Sequence, residues 1–124
     1  MMQDAGVRLV AVVDDDDAVR ESLRFLLETV GFCVATYGSA GAFLAEADPD
    51  HLACLVVDQH MPELTGLQLV SRLRRQGSEL PIALITGSPS ADLVRQAREL
   101  GVSTVLEKPL ADDVLVDFVE RARG

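Results

Sequence analysis

The chain has 124 residues, 48% of them hydrophobic, which is enough for one domain with a single sizeable core and leaves no room for a second. A formal net charge of -9 excludes a nucleic-acid interface made by this domain alone, because phosphate neutralisation needs a Lys or Arg surface. No apolar run approaches the roughly 20 residues that span a bilayer, and Met1-Met2-Gln3-Asp4 lacks a basic region followed by a hydrophobic one, so the sequence reads as cytosolic with no membrane partner.

Aromatic residues are 4% of the chain and Trp is absent, so the core must consist mainly of Leu, Val and Ala. Arg8 to Val13 is a short β-branched run ending in acids, as expected of a strand buried on both faces. From Ala18 the period becomes helical, with Val19, Leu23, Leu26, Leu27 and Val30 on one face. The acids before it favour the positive end of the helix dipole, and Gly31 supplies a left-handed cap. Phe32 to Thr36 reads as a second strand. Ser39 begins a short helix that turns Phe43 and Leu44 inward and stops before Asp48-Pro49. Leu52 to Val57 is a third strand, apolar throughout. After Met61-Pro62 and Gly66, the spacing of Leu67, Leu69, Val70 and Leu73 predicts a third helix, with Arg72, Arg74 and Arg75 near its end and Gly77 closing it.

Leu80 to Ile85 is a fourth strand, with Pro81 tolerated at its start, and Thr86-Gly87-Ser88 follows it. A fourth helix is predicted over Ala91 to Leu100, a fifth strand over Ser103 to Leu106, and a fifth helix from Ala111 carrying Val114, Leu115, Phe118 and Val119. Five strand-helix alternations with strands that are apolar on both faces predict an α/β fold: a doubly wound five-stranded parallel sheet with helices on both faces. Right-handed crossovers leave few topologies, and in the order 2-1-3-4-5 the crevice opens outside the carboxyl ends of the first and third strands. Cys33 and Cys54 read as reduced core cysteines. The arginines of the third helix, with Arg95 and Arg98 of the fourth, read as solvated faces.

The first strand runs into Asp14-Asp15-Asp16-Asp17 and the third into Asp58. Two unit charges about 4 Å apart repel by roughly 4 kcal/mol at the effective dielectric of a protein surface, so converging carboxylates call for a cation. A hard divalent ion suits oxygen donors, and Lys108, in Leu106-Glu107-Lys108-Pro109, brings an ammonium group to the end of the fifth strand. Taken alone, Asp14 to Asp16 would be a solvated turn capping the first helix; with Asp58 and Lys108 the site reading prevails. Asp17 is read as a helix-start residue, and His51 and His60 as loop residues. Thr86 alone would be a strand-end hydroxyl.

Four motifs stand in order at strand ends: Val12-Val13-Asp14-Asp15-Asp16, Val57-Asp58-x-x-Met61-Pro62 with Gly66, Ile85-Thr86-Gly87, and Glu107-Lys108-Pro109. Together they resemble the receiver domain of bacterial two-component response regulators, a flavodoxin-like and CheY-like fold, over essentially all of residues 1–124. Val19-Arg20-x-Ser22-Leu23-x-x-Leu26-Leu27 and Tyr37-x-Ser39-Ala40 resemble the FixJ-type subgroup, whose receiver precedes a helix-turn-helix DNA-binding domain.

The resemblance implies that Asp58 accepts a phosphoryl group from a histidine kinase or phosphotransfer protein. Asp15 and Asp58 would bind Mg²⁺ directly, the backbone carbonyl of His60 would be a third ligand, and Asp14 would act through a water. Lys108 would pair with Asp58 or the phosphate, the Thr86 hydroxyl would move to a phosphate oxygen, and Lys108-Pro109 would be a cis peptide. The domain would catalyse its own phosphorylation and slow dephosphorylation without turning over an external substrate. The side chains of His60 and Ser88 would tune the lifetime of the phosphorylated state. A homodimer would use the fourth helix, fifth strand and fifth helix, and the output would be transcription through a DNA-binding domain outside these residues.

Two positions depart from the family pattern: Val105 stands where many receivers have an aromatic ring, and Leu110 where Phe is common. Val105 supports an alternative, an interaction module that works without phosphate. A phosphatase of the haloacid-dehalogenase type fits less well, because Asp14-x-Asp16 is followed by Ala18 and the length leaves no space for a cap domain.

Overall fold

Residues 9–123 are described by a computed structural model. In chain order the elements are β1 (Leu9–Val13), α1 (Asp17–Thr29), β2 (Val34–Tyr37), α2 (Ala40–Glu46), β3 (Leu52–Asp58), α3 (Gly66–Arg75), β4 (Ile82–Thr86), α4 (Ala91–Glu99), β5 (Thr104–Glu107) and α5 (Asp112–Arg123), with a 3₁₀ turn at Pro49–His51. The strands form one sheet of order β2-β1-β3-β4-β5 in which every pair is parallel. This is the architecture expected from the sequence. Arg8, expected at the start of the first strand, lies outside the described residues.

Alternate residues of the inner strands feed two separate cores, which is why those strands read as unbroken apolar runs. On one face Ala11, Val13, Leu55, Val57, Ile82 and Leu84 pack with residues of α2, α3 and α4. On the other, Val10, Val12, Cys54, Val56, Ala83 and Ile85 pack with Leu23 and Leu27 of α1 and with Leu115, Phe118 and Val119 of α5. Tyr37 meets Phe43 edge to face, with ring centroids 5.2 Å apart, and joins β2 to α2. No described helix is long and apolar enough to cross a membrane.

Local chemistry sets the boundaries. Asp16 caps α1 by accepting from the Ala18 and Val19 amides, while Thr65 and Gln68 form a capping box at α3. At the end of α1, Gly31 adopts φ 102°, its amide donates to Glu28 O, and the Phe32 amide donates to Leu27 O. These two bonds make a Schellman motif, and α3 and α4 close in the same way.

Four expectations need correction. Phe32 finishes the cap of α1 instead of starting β2, so that strand begins at Val34. Cys33, between that cap and the strand, is exposed; only Cys54 is a core cysteine. Val30 and Val114 are 48% and 44% exposed, because Val30 is the C-cap of α1 and Val114 lies outside the face that α5 buries. Arg74 is not a solvated residue: its guanidinium donates to Leu100 O at 2.7 Å, Gly101 O at 3.0 Å and Ser78 O at 3.1 Å. The carbonyls at the end of α4 lack helical partners, and Arg74 satisfies them.

Candidate functional site

Sheet register places the functional side chains. Val13 pairs with Val57, so Asp14 and Asp58 leave neighbouring strands at the same level. Asp58 pairs with Ile85, and Thr86 with Glu107, which sets Thr86 and Lys108 at the same carboxyl edge. Backbone bonds carry the alignment past the strands, from Gln59 N to Ile85 O at 2.8 Å and from Lys108 N to Thr86 O at 2.9 Å.

Asp14, Asp15 and Asp58 each bring one carboxylate oxygen into a group whose members lie within 4.8 Å of one another. Asp14 and Asp58 are only 1% and 3% exposed, whereas Asp15 is open to solvent. Lys108 Nζ stands 3.1 Å from Asp58 Oδ1, an ion pair in which the lysine retains 36% of its side-chain exposure. Among the described residues the buried Asp14 Oδ2 has no hydrogen-bond partner, and the buried Asp58 Oδ1 has only this ion pair. Three converging carboxylates with two such oxygens form a donor set suited to a hard divalent cation.

Burial raises the Asp14 pKa above the ordinary carboxylate range, against the Asp16 amide that donates to Asp14 Oδ1 at 2.9 Å; the charges of Asp58 and Asp15 add to the rise, and Lys108 opposes it. For Lys108, burial acts to lower the pKa, but pairing with Asp58 and the fields of Asp14 and Asp16 outweigh it and leave the net shift upward. The ammonium is therefore charged throughout the neutral range.

Asp16 and Asp17 do not join the acidic group: one caps α1 and the other lies in its first turn. Lys108-Pro109 is a cis peptide. Thr86 is fully buried, and its Oγ1 accepts from the Ser88 amide at 3.1 Å and lies 3.0 Å from His60 Nε2. His60 is exposed but is more than a loop residue, because its ring holds the hydroxyl at the end of β4.

Several supporting residues were not legible as such. Arg20 donates to Asp14 O at 2.6 Å and to Asp17 Oδ1 at 2.5 Å, bracing the acidic loop from within α1. The Gln59 side chain accepts from the Leu67 amide at 2.9 Å and helps to cap α3. Between them, Leu64 N donates to Pro62 O at 2.8 Å around Glu63, whose φ is 70°, closing a γ-turn. Gly66 then comes so close to the end of β3 that a Cβ there would lie 2.7 Å from Asp58 O and from Leu84 Cδ1. Gly66 itself was visible as part of a motif; the contact that demands it was not.

Comparison with known proteins places this edge in a family. Residues 10–120 match the model of the response regulator receiver domain. Over 115 residues, 93% of this chain, the sequence is 41% identical to the transcriptional regulatory protein FixJ of Azorhizobium caulinodans and covers 54% of it. Nodulation protein W of Bradyrhizobium diazoefficiens is 38% identical over 92% of this chain and 50% of its own. The chain spans about half the length of these curated relatives. Among solved structures, FixJ-N superposes with a TM-score of 0.84 at 38% identity, covering 98% of this chain and 95% of that one. Full-length FixJ from B. japonicum gives 0.81 at 40% identity over 93% of this chain and 57% of its own. With acids and lysine gathered at the carboxyl edge of a 2-1-3-4-5 sheet and a family match across nearly all of its strands and helices, the chain belongs to the response regulator receiver domains of two-component systems.

Proposed function

We propose that the domain is a phosphorylation switch in which Asp58 takes a phosphoryl group from a histidine kinase or phosphotransfer protein. The observation that carries this reading is the gathering of Asp14, Asp15 and Asp58 within 4.8 Å, with Lys108 at 3.1 Å from Asp58. Asp58 attacks the phosphorus of a phosphohistidine, a P–O bond forms as the P–N bond breaks, and the imidazole leaves. Asp14, Asp15, Asp58 and the His60 carbonyl are the groups that would hold Mg²⁺, which when bound offsets charge on the phosphoryl oxygens. Lys108 holds a fixed positive charge beside the acceptor, and Thr86 offers a hydroxyl that gains a partner once phosphate is present. A contact made in only one state biases the equilibrium between two conformations.

The surface around Lys108 supports docking of a phosphoryl donor protein. A groove of about 810 Å³ runs between α1 and the segment after β5, lined by Ala18, Leu23, Phe25, Leu26, Pro109 and Leu110. Phe25 is 73% exposed there, a large apolar side chain open to solvent. By likeness to the transcriptional regulatory protein FixJ, the output is control of transcription through a region outside these residues.

Incubation with Mg²⁺ and acetyl phosphate should place one phosphoryl group on the parent protein and none on Asp58→Asn. Equal incorporation of label by the two proteins refutes Asp58 as acceptor.

A further inference from the structure

Thr86 Oγ1 carries one proton and two lone pairs. In this structure one lone pair is used by the Ser88 amide at 3.1 Å, and the oxygen is also engaged by His60 Nε2 at 3.0 Å. Among the described residues these are its hydrogen-bond partners, and neither belongs to the acidic group. Thr86 is 0% exposed, so no bulk water competes for the hydroxyl. His60, by contrast, is exposed, and the ring makes this bond across the gap between the loop after β3 and the end of β4.

We infer that His60 is a positioning residue that latches the Thr86 hydroxyl in the resting domain, so that the phosphorylated state forms by exchanging the His60–Thr86 hydrogen bond for one from Thr86 to the phosphoryl group. The inference rests on the reading of Asp58 as acceptor and of Thr86 as the hydroxyl that turns toward it. Either imidazole tautomer gives the same result, since a rotation of Thr86 toward Asp58 breaks the bond whichever partner donates. His60 thus weights the balance toward the resting state by roughly one net hydrogen bond.

The test is a double-mutant cycle read by beryllofluoride affinity at saturating Mg²⁺. The variants are His60→Ala, Thr86→Ala and the double substitution, each of which keeps the backbone carbonyl at position 60. His60→Ala should tighten beryllofluoride binding about fivefold, the factor that a hydrogen bond of ordinary net strength is worth. In the Thr86→Ala background the same substitution should change affinity less than about twofold. His60→Gln, whose Nε2 falls near the imidazole Nε2 position, should return the affinity toward that of the parent. An independent readout needs neither metal nor phosphate analogue: three-bond methyl couplings of Thr86 should report one χ1 rotamer in the parent and averaging in His60→Ala. Unchanged or weaker binding by His60→Ala, or an equal effect in both Thr86 backgrounds, overturns the latch while leaving the acceptor assignment intact. Failure of the parent itself to bind beryllofluoride overturns both.

Discussion

β3 and β5 each deliver a charged residue to the same site, yet the two strands are held in different ways. Every residue of β3 from Leu52 to Asp58 is buried, and the strand is flanked by β1 and β4. β5 is an edge strand of four residues in which only Leu106 is buried. Asp58 is therefore fixed by close packing on all sides, while Lys108 follows an edge strand that has fewer neighbours to restrain it. The proposed phosphorylation switch would benefit from this division, because its nucleophile must stay in place while the groups that sense its modification need room to move.

The comparison is tested most strongly by matched truncations. Leu55→Ala in β3 should cost about 3 kcal/mol of unfolding free energy and Val105→Ala in β5 about 1 kcal/mol, measured by urea denaturation. Equal losses would contradict the difference in packing. Next in size, Gly66→Ala should cost about 2 kcal/mol, since the atoms its Cβ would meet are the backbone at the end of β3 and a fully buried leucine. A fully stable Gly66→Ala protein would mean that the end of β3 yields more readily than its burial indicates.

The smallest effect has the opposite sign. Asp14 has a raised pKa in the folded state, so the folded domain takes up this proton more readily than the unfolded chain. Its stabilising contribution is complete below the ordinary carboxylate range and is lost as pH rises through the raised value. In metal-free protein at neutral pH, Asp14→Asn should thus gain about half a kcal/mol. The gain should vanish on acidification, and the variant should be stabilised less by added Mg²⁺ than the parent, both followed by thermal unfolding. A destabilised Asp14→Asn at neutral pH would contradict the repulsion inferred for the metal-free site.

What could be read from the chain depended on how far apart the interacting residues lie. The three inner strands were visible because burial on both faces leaves an uninterrupted signature in Val10 to Val13, Leu52 to Val57 and Ile82 to Ile85. The gathering of Asp14, Asp15, Asp58 and Lys108 followed from strand ends and a parallel topology, without knowledge of any side-chain contact. By contrast, Thr86 and His60 are 26 positions apart, as are Arg74 and Leu100, and neither pairing has a local pattern to announce it. Arg74 shares its neighbourhood with Arg72 and Arg75, and only the fold distinguishes the clamp from the solvated residues. Cys33 shows the converse: an apolar run contains it, but the cap at Gly31 and Phe32 leaves it outside the core.

The Arg74 clamp also constrains how α4 can travel. Its guanidinium grips the carbonyls of Leu100 and Gly101, at the opposite end of the helix from Ala91, which follows the loop leaving Thr86. If that grip survives activation, the helix swings as a lever with its fulcrum at Gly101, and the arc is widest at Ser90 and Ala91. A small turn of one hydroxyl beside the phosphate would then be read out as a larger sweep of the helix's leading turn, with the trailing turn almost still.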